Sequence, residues 1–96
     1  MSRSQFLRII SYDISCNKRR RRIATILEDR ATRVQYSVFE TRMSERALER
    51  LVEDLNEHLD EFDSLRVYTV GRSGERHCAV YGAGVPIETE TGYWLL

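Results

Sequence analysis

The chain lacks most of what would tie it to a secreted, membrane or cofactor-bound class. Its 96 residues include two cysteines, Cys16 and Cys78. That is too few for a disulfide framework, and both read as reduced thiols of a cytoplasmic protein. The two histidines, His58 and His77, have no zinc-type spacing to each other or to the cysteines. No apolar run approaches the roughly 20 residues of a membrane span. The first residues, Met1 to Gln5, lack the apolar core of a signal peptide. A phosphate-binding glycine loop and a serine-nucleophile motif are both missing. So are internal repeats, low-complexity segments and a linker. A single domain over residues 1–96 follows, with a core whose stability oligomerisation would help.

Charge is balanced in total and polarised in detail. Residues 1–43 hold ten Lys/Arg against four Asp/Glu, whereas residues 44–63 hold two Arg against eight acids. Such a molecule has a basic face that can approach a polyanion and an acidic face that turns away or meets a basic protein.

Phe6 to Asp13 is rich in β-branched and aromatic types and reads as a largely buried strand. Asn17 is a suitable N-cap for a helix reaching about Ala31, with Ile23, Ile26 and Leu27 as its apolar stripe. Its first turn carries Lys18-Arg19-Arg20-Arg21-Arg22, where the helix dipole already opposes cations. Residues 33–41 alternate as either one bent strand or a short hairpin folding near Gln35 to Ser37. Ser44 caps a second helix to about Leu59, striped by Ala47, Leu48, Leu51, Val52, Leu55 and Leu59 and acidic outside. Ser64 to Arg72 and His77 to Tyr81 read as strands about a turn at Gly71 to Gly74. Gly82, Gly84 and Pro86 then interrupt regular structure. The apolar tail Tyr93 to Leu96 must dock on its own core or on another subunit. Two amphipathic helices alternating with strands give a ferredoxin-like α+β sandwich, βαββαβ with strands added at the end.

Asp13, at a strand tip, is placed as Mg²⁺ or Mn²⁺ ligands are in phosphodiester chemistry, although a turn-forming aspartate would look the same. One carboxylate makes a poor metal site, and no second acid lies close in sequence. A two-fold dimer that brings Asp13 against its mate would supply the missing ligand. The run Lys18 to Arg22 is either a solvated face or a phosphate clamp, and its unfavourable dipole position beside Asp13 favours the clamp. Arg3, Arg8, Arg30, Arg33 and Arg42 could widen that patch. Gln35, Ser37 and Phe39 alternate as a nucleic-acid-facing strand would, with a core Phe39 as the equal alternative.

Tyr12-Asp13-Ile14, the arginine-rich helix start, Arg33-Val34-Gln35-Tyr36-Ser37-Val38-Phe39-Glu40 and Asp63-Ser64-Leu65-Arg66-Val67-Tyr68 together resemble the CRISPR-associated protein 2 family. The resemblance covers about residues 6–81. It implies a ferredoxin-like homodimer with an added C-terminal strand, residues 83–96 forming a dimer-pairing tail. It also implies paired strand-tip aspartates, matched here by Asp13, in a Mg²⁺- or Mn²⁺-dependent endonuclease on RNA or DNA. The same family spaces a CRISPR integrase on duplex DNA. By motif position Tyr12, Arg33, Ser37 and Phe39 carry over, and so do Arg20 and Arg22 at the helix start. Members often have acids where this chain has Cys16 and Asn17, and a glycine where it has Ala31 or Thr32. Three readings compete. In the first, Asp13 holds the metal, Ser37 orients the phosphate, Phe39 contacts a base or sugar, and Arg19, Arg20, Arg21, Arg22, Arg33 and Tyr12 bind the strand. The second is a non-catalytic scaffold of the integrase, and the third a plain RNA-binding or dimerisation module.

Overall fold

In a computed structural model, residues 5–89 and 92–93 are described. Strand β1 (Phe6–Asp13) leads through a short loop into helix α1 (Asn17–Glu28). Strands β2 (Thr32–Gln35) and β3 (Val38–Met43) form a hairpin, followed by helix α2 (Glu45–Asn56) and strand β4 (Ser64–Val70). A one-turn helix α3 (Arg72–Glu75) and a small hairpin, β5 (Glu88–Thr89) and β6 (Gly92–Tyr93), complete the described chain. The main sheet is antiparallel in the order β2-β3-β1-β4, so β1 is central, as the ferredoxin-like arrangement requires.

Alternation along the strands sorts two faces. Ile10 and Tyr12 of β1, Phe39 of β3 and Leu65 and Val67 of β4 face the helices. They pack with Ile23, Ala24 and Leu27 of α1 and Leu48, Leu51 and Leu55 of α2 in one core. Ser44 caps α2 as expected, its Oγ accepting from the Ala47 N–H at 3.2 Å. Leu7, Ile9, Ser11 and Asp13 point to the other face, next to Val38, Glu40 and Arg42 of β3 and Arg66, Tyr68 and Val70 of β4.

Half of that second face is covered. Arg42 is buried and pairs with Glu75 of α3, and it donates to the carbonyls of Gln5 (3.0 Å) and Glu88 (3.2 Å). This guanidinium ties α3 and β5 over the start of β1, where Leu7 and Ile87 are buried outside the main core. Beyond it, Ile9, Ser11, Val38 and Glu40 stay part-exposed and Tyr68 is exposed. Burial alone holds the Glu40 carboxyl above its ordinary value.

Two expectations change, the Asn17 cap and the strand at 77–81, and two open points are decided, the hairpin and the turn after α1. Residues 33–41 are a hairpin: β2 and β3 pair through Thr32–Glu40 and Arg33–Phe39, with a register shift between Arg33 and Gln35. Its two-residue loop, Tyr36-Ser37, uses no positive φ. The left-handed turns that match strand twist are therefore absent, and the register shift takes up the mismatch. Cys16, not Asn17, is the N-cap of α1. Asn17 lies one position inside, and its Oδ1 accepts from Arg20. Residues 77–81 are not a strand. Gly71 caps α3, whose Glu75 is drawn to Arg42, and the chain runs irregularly to Ile87 through the left-handed Gly82 (φ +78°). The turn from α1 into β2 needs no glycine: Ala31 N–H closes on Leu27 O at 2.7 Å, and Thr41 Oγ1 donates to Arg30 O at 3.0 Å. The last residues of the apolar tail, 94–96, and residues 90 and 91 lie outside the described residues.

Candidate functional site

The C-terminal end of β1 gathers most of the polar residues singled out above. Asp13 is the last residue of the central strand, paired with Ser64 of β4, and its side chain is exposed. Among the described residues its carboxylate makes no hydrogen bond or ion pair. The Tyr12 N–H donates to the Ser37 carbonyl at 3.2 Å, which sets the β2–β3 turn beside the end of β1. Asp13 and Ser37 therefore share one end of the sheet. Four residues after Asp13, at Asn17, the basic first turn of α1 begins at the same end.

A metal ion needs more than this end provides. No group of three or more His, Cys, Asp or Glu side chains among the described residues could hold one. One free carboxylate per chain fits Mg²⁺ only if a second copy adds another, beside water and phosphate.

The cations divide into two kinds. Lys18, Arg21 and Arg22 are exposed, and their side chains have no partner among the described residues. Lys18 and Arg22 line a cleft of about 280 Å³ with Arg19 and His58. The other described arginines of the candidate basic patch, Arg8, Arg19, Arg20, Arg30, Arg33 and Arg42, are engaged inside the chain. Arg19 grips Asp63 through Nε (2.7 Å) and Nη2 (3.1 Å), with Asp60 at 3.5 Å. Arg20 donates to the Ile14 carbonyl at 2.5 Å, bracing the loop behind Asp13. Arg33 donates to the Tyr36 carbonyl (2.6 Å) and Glu28 (3.1 Å) while lying over the Phe39 ring, 5.0 Å from its centre. Arg30 pairs with Asp54 at 2.6 Å. Arg8 and Arg42 are buried; Arg8 donates twice to Met43 O and also reaches Glu45 and Thr69. Neither widens a surface patch, because each satisfies buried backbone carbonyls that the fold would otherwise leave bare. Arg3 lies outside the described residues.

Tyr12 and Phe39 are also internal. Phe39 is 0% exposed, and its ring stacks at 6.3 Å on that of Tyr12, which is 6% exposed. Burial raises the Tyr12 phenol above its ordinary value. Phe39 thus takes the core alternative, and no part of its ring is open to a base. Two exposed aromatics do stand at this end, Tyr36 (71%) and Phe62 (90%). Phe62 sits in Asp60-Glu61-Phe62-Asp63, outside any apolar stripe. A lone aromatic in an acidic loop was the one signal in the sequence that could have found it.

The Arg19–Asp63 pair has a pH signature. The Arg19 side-chain hydrogen bond, then the Asp60 N–H, hold the Asp63 carboxyl below its ordinary value. A lowered carboxylate stabilises the fold above its unfolded pKa of about 3.9, and that contribution disappears as pH falls through the lower folded value. Asp63→Asn should therefore lower the melting temperature at pH 7, and the gap to the wild type should close in acid below about pH 4. Thermal melts across pH 2–7 test this; a gap that stays constant with pH contradicts it.

Known proteins resemble this chain in sequence and fold. Residues 6–77 match the family model described as CRISPR associated protein Cas2. The chain is 40% identical over 80 residues to "CRISPR-associated endoribonuclease Cas2 2" of Synechocystis, covering 78% of this chain and 83% of that one. It is 37% identical over 90 residues to "CRISPR-associated endoribonuclease Cas2 1" of Chloroflexus aurantiacus, covering 92% and 97%. The structure of Streptococcus pyogenes Cas2 superposes with a TM-score of 0.68 at 29% identity, over 79% of this chain and 99% of that one. Matched by the family model over residues 6–77 and by these relatives over most of its length, the chain belongs to the CRISPR-associated Cas2 family.

Proposed function

We propose that two copies of this chain form a Mg²⁺- or Mn²⁺-dependent endonuclease on RNA or DNA, acting in the cytoplasm in CRISPR adaptation beside the integrase. The observation that carries this reading is Asp13, an exposed carboxylate at the tip of the central strand that, like Lys18, Arg21 and Arg22 of the following helix, has no partner among the described residues. The relatives' name, endoribonuclease, supports the reaction class. The part-exposed sheet face of Ile9, Val38 and Tyr68 supports the dimer, since apolar surface of this kind is covered most simply by its own copy across a two-fold axis. The C-terminal tail, about residues 83–96, would pair with that second copy.

In this arrangement one Asp13 from each copy would hold the metal. The bound ion would supply charge neutralisation at the phosphate and an activated water. The Ser37 hydroxyl would orient a phosphate oxygen. Lys18, Arg21 and Arg22 would hold neighbouring phosphates, and Lys18 and Arg22 already line a cleft with Arg19 and His58. Arg19, Arg20 and Arg33 would act by bracing the loops around Asp13 rather than by touching the strand.

The test is incubation of purified protein with single- and double-stranded RNA and DNA in Mg²⁺, Mn²⁺ or EDTA. Cleavage in metal alone supports the enzyme; binding without cleavage of any substrate leaves a DNA-gripping scaffold for the integrase. The free basic surface favours that second reading, because it does not depend on Asp13. Either reading expects replacement of Lys18, Arg21 and Arg22 by Ala to weaken binding uniformly across sequences. The slope of log affinity against log salt should fall by about one for every cation that no longer meets a phosphate. Titrations at several salt concentrations measure it, and an unchanged slope would place the phosphate-binding groups elsewhere.

A further inference from the structure

Two turns flank Asp13, and each is pinned by an arginine and displays an aromatic ring to solvent. On one side is the β2–β3 turn. The Tyr12 N–H on the Ser37 carbonyl sets this turn, and Tyr36 with it, beside the end of β1 on its β3 side. Its backbone is held by Arg33, which donates to the Tyr36 carbonyl at 2.6 Å. On the other side is the loop before β4. Phe62 lies two residues before Ser64, the partner of Asp13. That loop is held by the Arg19–Asp63 fork and by the Asp60 N–H on Asp63 Oδ2 at 2.9 Å.

Single exposed aromatics are common and need no explanation. These two differ in company and support. Both stand beyond the end of the sheet, unlike Tyr68, which lies on the open face where a second copy would cover it. Their turns are fixed by charge-assisted bonds that also occupy two arginines of the basic half. At the same end are the Asp13 carboxylate and the exposed Lys18, Arg21 and Arg22, none with a partner among the described residues. Rigid rings beside a basic groove are how unpaired bases are held, because every base has a stacking face whereas a duplex hides it.

We propose that Tyr36 and Phe62 are base-stacking platforms on either side of Asp13, and that they give the site a preference for single-stranded nucleic acid. The inference rests on the nucleic-acid reading above, and it makes Arg19 and Arg33 positioning residues for the two rings. The backbone would run past the α1 cations while bases unstacked on each side of the cleavable phosphate meet the rings.

The experiment compares binding of a labelled, unstructured oligonucleotide and of a duplex of equal length, in EDTA so that nothing is cleaved. Phe62→Ala and Tyr36→Ala should each weaken single-strand binding about tenfold and leave duplex binding unchanged. Phe62→Leu should lose as much as Phe62→Ala, since it keeps apolar bulk without a stacking face, and Phe62→Trp should restore binding. Molar mass by light scattering, run on every variant, checks the subunit interface. Equal loss for both substrates, no loss for either, retention by Phe62→Leu, or a fall in dimer content overturns the proposal. If the wild type binds neither substrate even at low salt, the nucleic-acid reading itself fails, a different outcome from binding that ignores Tyr36 and Phe62.

Discussion

Asp13→Asn is expected to reduce metal-dependent cleavage by about a hundredfold or more while leaving nucleic-acid binding intact. The side chain is exposed and unpartnered among the described residues, so the change removes no internal bond and should leave the melting temperature unchanged. What it removes is the free carboxylate at this strand end that a divalent ion could use. Without metal the variant should bind nucleic acid at least as tightly as the wild type, because a negative charge beside a polyanion has gone. A mixing experiment then asks whether the two copies share one ion. Once subunits have exchanged, an equal mixture of wild type and Asp13→Asn contains about a quarter wild-type pairs. If the ion needs both carboxylates, activity falls to about a quarter; if each chain works alone, it falls to about a half. Asp13→Asn that cleaves as well as the wild type would leave the protein a binder rather than a nuclease.

The parts of the molecule legible in the sequence are those governed by periodicity. The stripe of Leu48, Leu51 and Leu55 and the alternation of β1 each follow from one element's own pattern; β1 forms where expected, and α2 ends at Asn56, three residues short of Leu59. The site is legible only where a residue stays free. Asp13 and Ser37 come together because strand ends and turns meet at one edge of a sheet. The arginines are not legible as a group, because charge count says nothing about partners. Arg19 finds Asp63, 44 residues away, and Arg42 finds Glu75, 33 residues away. Such pairings depend on tertiary proximity that no local window contains. The hairpin at Tyr36-Ser37 is ambiguous for a related reason. It lacks the Asn-Gly or glycine signature of two-residue turns, and it closes instead by slipping register.

The β3 aromatic supplies the second large effect. Phe39→Ala should destabilise the protein by about 3–5 kcal/mol, since it empties a fully buried site between the sheet and the helices. For a chain of this length the whole stability is on the order of 5–14 kcal/mol. The melting temperature should then fall by more than about 10 °C, and cleavage measured at high temperature would be lost through unfolding. Phe39→Leu separates packing from chemistry. It keeps an apolar group of similar bulk in the core and should cost about 1.5 kcal/mol or less, with binding and cleavage retained at low temperature. If Phe39 instead met a base, Phe39→Leu would fold normally and lose single-strand binding, as expected above for Phe62→Leu. The core position also connects Phe39 to Asp13. Its ring stacks on Tyr12, the residue preceding Asp13, while Arg33 spans from above the same ring to the Tyr36 carbonyl. A cavity at Phe39 would therefore loosen both the strand tip that carries the carboxylate and the turn that carries Tyr36. The small loss of activity that remains for Phe39→Leu should then appear in turnover at saturating substrate, with the salt dependence set by Lys18, Arg21 and Arg22 unchanged.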